Sequence, residues 1–217
     1  MNGPVAVGFL HTAAAHVATF DRLVAEQDGP VARHHVDLAL LRAAVADPSL
    51  PVLAAEVRAA VARLVEQGAG VVVCTCSTLG PLAESVDAAV PVVRVDRPMA
   101  AAAVRAGRRV GVVAALASTV GPTTDLLREE AGRAGVEVEL ELELRLVDEA
   151  WAAWEAGDRT SYDAQVAAAA RALADRVDVV VLAQASMLGA LEHLPDLRER
   201  VLVGPPAAVR AALGLLR

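Results

Sequence analysis

Short runs rich in valine alternate along the chain with longer stretches in which alanine, leucine and arginine recur at helical spacing. The valine runs are PVAVGFL (4–10), VARHHV (31–36), GVVVCT (70–75), PVVRV (91–95), RVGVVAAL (109–116), VEVELELEL (136–144), DVVVLAQ (178–184) and RVLVG (200–204). Each reads as a strand. Helices are predicted near 13–27, 38–47, 51–67, 97–106, 121–134, 148–156, 161–175 and 206–216. Continuously apolar strands separated by helices build a parallel sheet covered on both faces. The exception is VEVELELEL, whose strict alternation predicts an edge strand with one wet, acidic face.

Sliding the sequence by 108 residues lays GVVVCTCSTLGPL (70–82) on DVVVLAQASMLGA (178–190) without a gap. Val71, Val72 and Val73 fall on Val179, Val180 and Val181, and the same offset puts Val93 on Val201, Val95 on Val203 and Pro98 on Pro206. Each segment runs strand, polar loop, short helix, strand, proline, helix. This order predicts an α/β protein of two pseudo-symmetric lobes, each a parallel sheet flanked by helices. The first lobe is residues 1–96, completed by the C-terminal helix 205–217, and the second is 97–204. In open α/β sheets ligands bind beyond the carboxyl ends of the strands. A site is therefore expected in a cleft between the lobes, lined by loops at 76–80 and 184–188, by HTA (11–13) and by ASTVGPT (117–123).

Composition narrows the classes. Of 217 residues, 55% are hydrophobic and only 2% aromatic, which suits cores of helices and valine-rich strands. The net charge is −7, and all 20 basic residues are arginines scattered among acids. With no basic stripe and few rings to stack bases, nucleic acid is not an expected partner. The negative balance argues against an anionic membrane surface. No apolar run reaches the roughly 20 residues of a membrane span, and MNGPVAVGFLHTAAA lacks the positive start of a signal peptide. A cytoplasmic protein with reduced cysteines is expected.

Both cysteines lie in GVVVCTCSTLG (70–80). Cys74, inside the valine run, reads as a small buried hydrophobe. Cys76 stands where the run gives way to a loop and short helix, which offer N–H groups and hydroxyls to an anion. That environment lowers a thiol pKa. Such a thiol suits proton transfer at a carbon beside a carboxylate, or nucleophilic attack; the plain alternative is a small buried residue. Ser77, Thr78, Ser118, Thr119 and Ser186 are hydroxyl donors at predicted strand ends, fit for a carboxylate or for ordinary capping. His11 and Thr12 follow the first strand, where a histidine either shuttles a proton or is a hydrogen-bonded loop residue. His34 and His35 point to opposite sheet faces, and His16 and His193 are expected on helix surfaces. Trp151 and Trp154 share a helix face, expected to pack on the other lobe or on a partner subunit. A C-x-C metal site would need ligands that no further cysteine supplies. No G-x-G-x-x-G, P-loop or G-x-S-x-G is present, so neither a cofactor nor a metal is expected.

With GFLHTAAAHVATFDRL, VVVCTCSTLGP, VDRPMAAAAV, RVGVVAALASTVGPT and VVVLAQASM, the chain resembles, over nearly its whole length, the aspartate/glutamate/hydantoin racemase superfamily. That superfamily includes arylmalonate decarboxylases and maleate isomerases. The resemblance implies two lobes with a cleft between them, a cofactor-independent enzyme, a small carboxylic-acid substrate and a homodimer. It also implies one cysteine per lobe, on opposite faces of the substrate. Cys76 matches the first-lobe cysteine, in a Cys-Ser-Thr that resembles the family's Cys-Asn-Thr. Ser77 and Thr78 match its carboxylate-binding neighbours, Ser118 and Thr119 fall in the equivalent second-lobe loop, and Ser186 matches the residue two after the second-lobe cysteine. Gln184 stands where that second cysteine would be, and an amide neither takes nor gives a proton at neutral pH. Its expected role is to orient substrate or a water. His11 replaces the acid that amino-acid racemases often hold after the first strand, which favours a plain carboxylic acid over an amino acid. The reading is proton-transfer chemistry through Cys76: racemisation, isomerisation or decarboxylation. The alternative is a catalytically silent carboxylate-binding protein of the same fold.

Overall fold

The computed structural model describes residues 5–47, 49, 51–135 and 140–217. The chain divides into two units, the first running to Val95 and taking back Pro205–Arg217, the second Asp96–Gly204. Unit 1 holds β1 (Ala6–His11), α1 (His16–Ala25), β2 (Ala32–Val36), α2 (Leu38–Ala46), α3 (Pro51–Glu66), β3 (Ala69–Cys74), α4 (Gly80–Glu84) and β4 (Val92–Arg94), with the C-terminal helix Gly204–Leu215. Its four strands are all parallel, in the order β2-β1-β3-β4. One sheet face buries Leu10, Val72 and Cys74 under Leu40 of α2, Val57 and Leu64 of α3 and Ala83 of α4. The other carries Phe9 and His11 against Phe20 of α1. α1 is amphipathic with His16, Phe20, Leu23 and Val24 on its buried side, spacing that follows the helical period. His16 is thus only 7% exposed, a correction to its expected surface position. α2 starts where Asp37 accepts the Ala39 N–H at 2.9 Å, an ordinary N-cap.

Unit 2 holds α5 (Arg97–Ala106), β5 (Arg109–Ala114), α6 (Ala117–Arg133), β6 (Glu141–Leu146), α7 (Asp148–Glu155), α8 (Arg159–Ala174), β7 (Val179–Leu182) and β8 (Val201–Val203). The 3-10 segments Ala185–His193 and Pro195–Leu197 join β7 to β8. The sheet is again parallel, ordered β6-β5-β7-β8. Matched strand for strand, this is the order of unit 1, which gives the 108-residue sequence offset its physical form.

Three local expectations change. α6 begins at Ala117 rather than near 121 and carries Pro122 inside it, so Ser118 and Thr119 occupy a helical turn rather than a loop. The expected loop 184–188 is a 3-10 helix from Ala185 onward. Residues 136–139 of VEVELELEL lie outside the described residues; the rest forms β6, an edge strand paired with β5 alone. The face of Glu141 and Glu143 is not purely acidic, because it also carries Arg145 and Glu143 pairs with Arg176, and Leu144 on the other face is 46% exposed. Among the described residues no helix is long and apolar enough to cross a membrane.

Candidate functional site

In unit 1 the chain leaves β1 to one side for β2 and returns on the other side at β3. The carboxyl ends of β1 and β3 therefore flank the switch point of the sheet, where folds of this kind place ligands. Leu10, Cys74 and Arg94 stand in one register row. Cys74 is wholly buried, and its thiol donates to the Cys76 carbonyl at 3.6 Å. Cys76 follows the strand, 8% exposed, in the same apolar cluster as Leu10, Leu79 and Ala83. Ser77 is buried and Thr78 half-buried in the turn that leads into α4. That turn has a tight floor. A Cβ on Gly80 would lie 2.8 Å from Nε of Arg94, whose side chain is itself buried. Glycine at 80 lets α4 ride directly on the guanidinium, which fixes the height of the Cys76–Ser77–Thr78 turn.

His11 lies on the opposite face. It is fully buried at the last position of β1 rather than in a loop. Its Nδ1 is 2.9 Å from Thr75 Oγ1 and its Nε2 2.8 Å from His34 Nδ1. His34 Nε2 in turn meets Asp21 Oδ1 at 3.0 Å. Burial, then the neighbouring His16 and His34, lower the His11 pKa from 6.5 to about 3, so the ring is neutral. With both ring nitrogens engaged inside unit 1, His11 is an internal link in this arrangement rather than an open acid or base. Thr12, just beyond it, is 8% exposed.

In unit 2 the corresponding strand ends are those of β5 and β7. Gln184 Oε1 accepts from the N–H of Ala115 at 2.6 Å and of Leu116 at 3.2 Å. The side-chain amide thus closes the switch point of its own sheet and ties β7 to the start of α6, whose N-cap residue, Leu116, has no side-chain cap. Thr119 is buried and Ser118 half-buried in the first turn. Ser186 shares a hydrogen bond of 2.7 Å with the hydroxyl of Tyr162, a fully buried residue. Burial, only partly offset by the Ser186 bond, raises the Tyr162 pKa and keeps it a neutral phenol. Trp154 packs inside unit 2, 5.1 Å from the Tyr162 ring and under the Arg159 guanidinium at 3.5 Å; Trp151 stacks on it at 6.2 Å.

Thr75, His34, Asp21, Tyr162 and Arg94 shape these strand ends and were not singled out from the sequence for it. The signal for His34 was its strand parity. Paired with Phe9, it shares the face of His11, which only the β1–β2 register reveals. Among the described residues no group of three His, Cys, Asp or Glu side chains is placed to hold a metal ion.

A family model described as Asp/Glu/Hydantoin racemase matches residues 11–212. Among solved structures, the fold is similar to the aspartate racemase of Picrophilus torridus (TM-score 0.75, 14% identity, 97% of this chain and 94% of that one). It is also similar to the glutamate racemase of Francisella tularensis in complex with D-glutamate (0.72, 13%, 98% and 80%). The allantoin racemase of Pseudomonas fluorescens matches as well (0.60, 18%, 98% and 91%). At these identities the likeness is one of fold. No curated protein matches the sequence.

Proposed function

This chain belongs to the Asp/Glu/hydantoin racemase family, and on that premise we propose a cofactor-independent enzyme that moves a proton at a carbon beside a carboxylate through one thiol, that of Cys76. The observation that carries the reading is the asymmetry between matched strand ends. One ends in Cys76, and the other in Gln184, whose oxygen is already held by two backbone N–H groups. An amide is neither an acid nor a base at neutral pH, so on this reading Gln184 is a structural clamp and the second acid is missing. Where a C–CO₂ bond breaks and CO₂ leaves its electron pair on carbon, the enolate-like carbon takes the Cys76 S–H proton, a C–H bond forms, and the thiolate is reloaded from water; where a C–H bond breaks instead, the Cys76 thiolate takes that proton and returns it, or one exchanged with water, to the same face. Ser77 and Thr78, beside the thiol, are the proposed donors to the carboxylate, where fixed hydrogen bonds to developing charge contribute most to rate. Ser118 and Thr119, in the first turn of α6, and Ser186, tied to Tyr162, are proposed as further hydroxyl donors. The substrate class is a small carboxylic acid without an amino group, because the end of β1 offers the neutral, fully engaged His11 where an ammonium would need an anion.

The test is solvent deuterium incorporation. The protein and its Cys76→Ala variant are incubated in D₂O with malonates, maleate, hydantoins, aspartate and glutamate, and followed by NMR. Exchange or conversion confined to the wild type is expected, and the responsive acid names the substrate. Turnover that survives in Cys76→Ala sinks the one-thiol reading. The burial of Cys76 in an apolar cluster favours one rival, a silent carboxylate-binding protein. Ligand-induced thermal stabilisation without exchange across the panel would select it.

A further inference from the structure

We propose that Asp21, His34 and His11 form a protonation switch that reverses the hydrogen bond at Thr75, making His34 and Asp21 positioning residues for the turn that begins at Cys76. The link to Cys76 rests on the reading of that thiol as the reacting group; the switch itself rests on the contacts of unit 1.

Hydrogen-bond inventory leaves two states. Asp21, 56% exposed at its side chain, accepts only, so His34 Nε2 carries a hydrogen. When His34 is neutral its Nδ1 is then bare and accepts, which makes His11 Nε2–H the donor across 2.8 Å. His11 Nδ1 is left bare and accepts the Thr75 hydroxyl hydrogen across 2.9 Å. Every donor points outward, from Thr75 to Asp21. Now let His34 gain one proton. Its Nδ1–H donates to His11 Nε2, neutral His11 carries its hydrogen on Nδ1 and donates to Thr75 Oγ1, and the Thr75 hydrogen turns to the Leu10 carbonyl at 3.1 Å. One proton enters and rests on His34. His11 changes tautomer without changing charge, and Thr75 keeps a single hydrogen. The Leu10 carbonyl already accepts the Thr75 N–H at 2.9 Å, so it is satisfied in both states.

The surroundings favour exchange of protons over movement of rings. The His11 and His34 rings lie 5.1 Å apart and 15° from parallel, with Phe9 stacked on His34 at 5.4 Å and Phe20 against His11 at 5.5 Å. The charge settles on His34 because that ring touches solvent and a carboxylate, while His11 is fully buried. Among the described residues, the ionisable groups facing the pair are His16 and Asp21 of α1, while β3 presents the neutral Thr75. On the far face of β2, His35 looks toward Arg63 of α3 and toward Asp37.

Two-bond ¹H–¹⁵N spectra of the ring nitrogens read the tautomers directly. As pH is lowered, His11 is expected to pass from Nε2–H to Nδ1–H in step with proton uptake by His34. One His11 tautomer throughout, while His34 titrates, overturns the switch. In His34→Gln the amide oxygen accepts from His11 Nε2–H and binds no proton, so His11 is expected to stay Nε2–H at every pH. A swap that persists there also overturns it. The second readout is iodoacetamide alkylation of Cys76, located by mass. Its log rate against pH is expected to inflect at the His34 midpoint in wild type and not in His34→Gln. A tautomer swap without that inflection overturns the positioning role. The spectra need no substrate, so the switch stands or falls apart from the one-thiol reading.

Discussion

Replacing Gln184 by leucine asks whether the end of β7 is a clamp or an open ligand group. Leucine roughly keeps the volume and removes the oxygen that the Ala115 N–H reaches at 2.6 Å and the Leu116 N–H at 3.2 Å. Ala115 is 1% exposed, so its donor is stranded, which costs about 1–3 kcal/mol. Leu116 is half-buried, water reaches its N–H, and the further loss is about 0.5–1 kcal/mol. Gln184→Glu keeps an acceptor and sets a negative charge at the start of the 17-residue α6, where the helix dipole returns about 0.3–1 kcal/mol against the cost of burial. At neutral pH the leucine variant should therefore lose about 1.5–4 kcal/mol and the glutamate variant much less. With a urea slope of about 2 kcal/mol per M, the midpoint of the leucine variant falls by about 0.8–2 M. The assay is convenient, because both tryptophans of the chain, Trp151 and Trp154, lie on α7 of unit 2 and report its unfolding by fluorescence. A loss under about 0.5 kcal/mol, the scale of a neutral surface change, refutes the clamp and returns Gln184 to the residues that face a ligand.

Two further outcomes follow from unit 1. The His11 pKa is lowered from 6.5 to about 3. Between those values the unfolded chain binds a proton that the native one refuses, so stability is full above 6.5, falls as pH drops toward 3 and levels off below it. The slope approaches about 1.4 kcal/mol per pH unit. Urea midpoints by circular dichroism should show it in wild type and not in His11→Gln, and an equal slope in the variant contradicts the assignment. Gly80→Ala drives a Cβ to 2.8 Å from Arg94 Nε. Overpacking of about 1–3 kcal/mol outweighs the roughly 0.5–1 kcal/mol that alanine returns to a helix. A variant as stable as wild type would show that Arg94 moves aside.

The valine runs were enough to locate the inner strands β1, β3, β5 and β7, because a parallel strand buried on both faces is apolar at nearly every position. Boundaries were harder where a single residue carried two meanings. The helix predicted near 121–134 starts at Ala117 instead and carries Pro122 inside it. His16 read as a surface residue because of its type, although its spacing to Phe20 and Leu23 put it on the buried face of α1. Candidate residues near strand ends were visible in the sequence because the fold gathers chemistry there. What each side chain touches was not. That His11 meets His34 depends on the pairing of β1 with β2, and that Gln184 is tied to Ala115 depends on β5 lying beside β7. Both are contacts between distant parts of the chain, set by the sheet order.

The Gln184 clamp also bears on the optical outcome of the proposed chemistry. A planar enolate is symmetric about its plane until a proton arrives from one side. Two thiols on opposite sides feed both directions and run any mixture toward equal parts of its mirror-image forms. On the proposed reading the second strand end holds an amide bound to its own backbone, and Cys76 is the one proton source. A prochiral acid handled by Cys76 would leave as a single enantiomer, and the product solution would rotate polarised light.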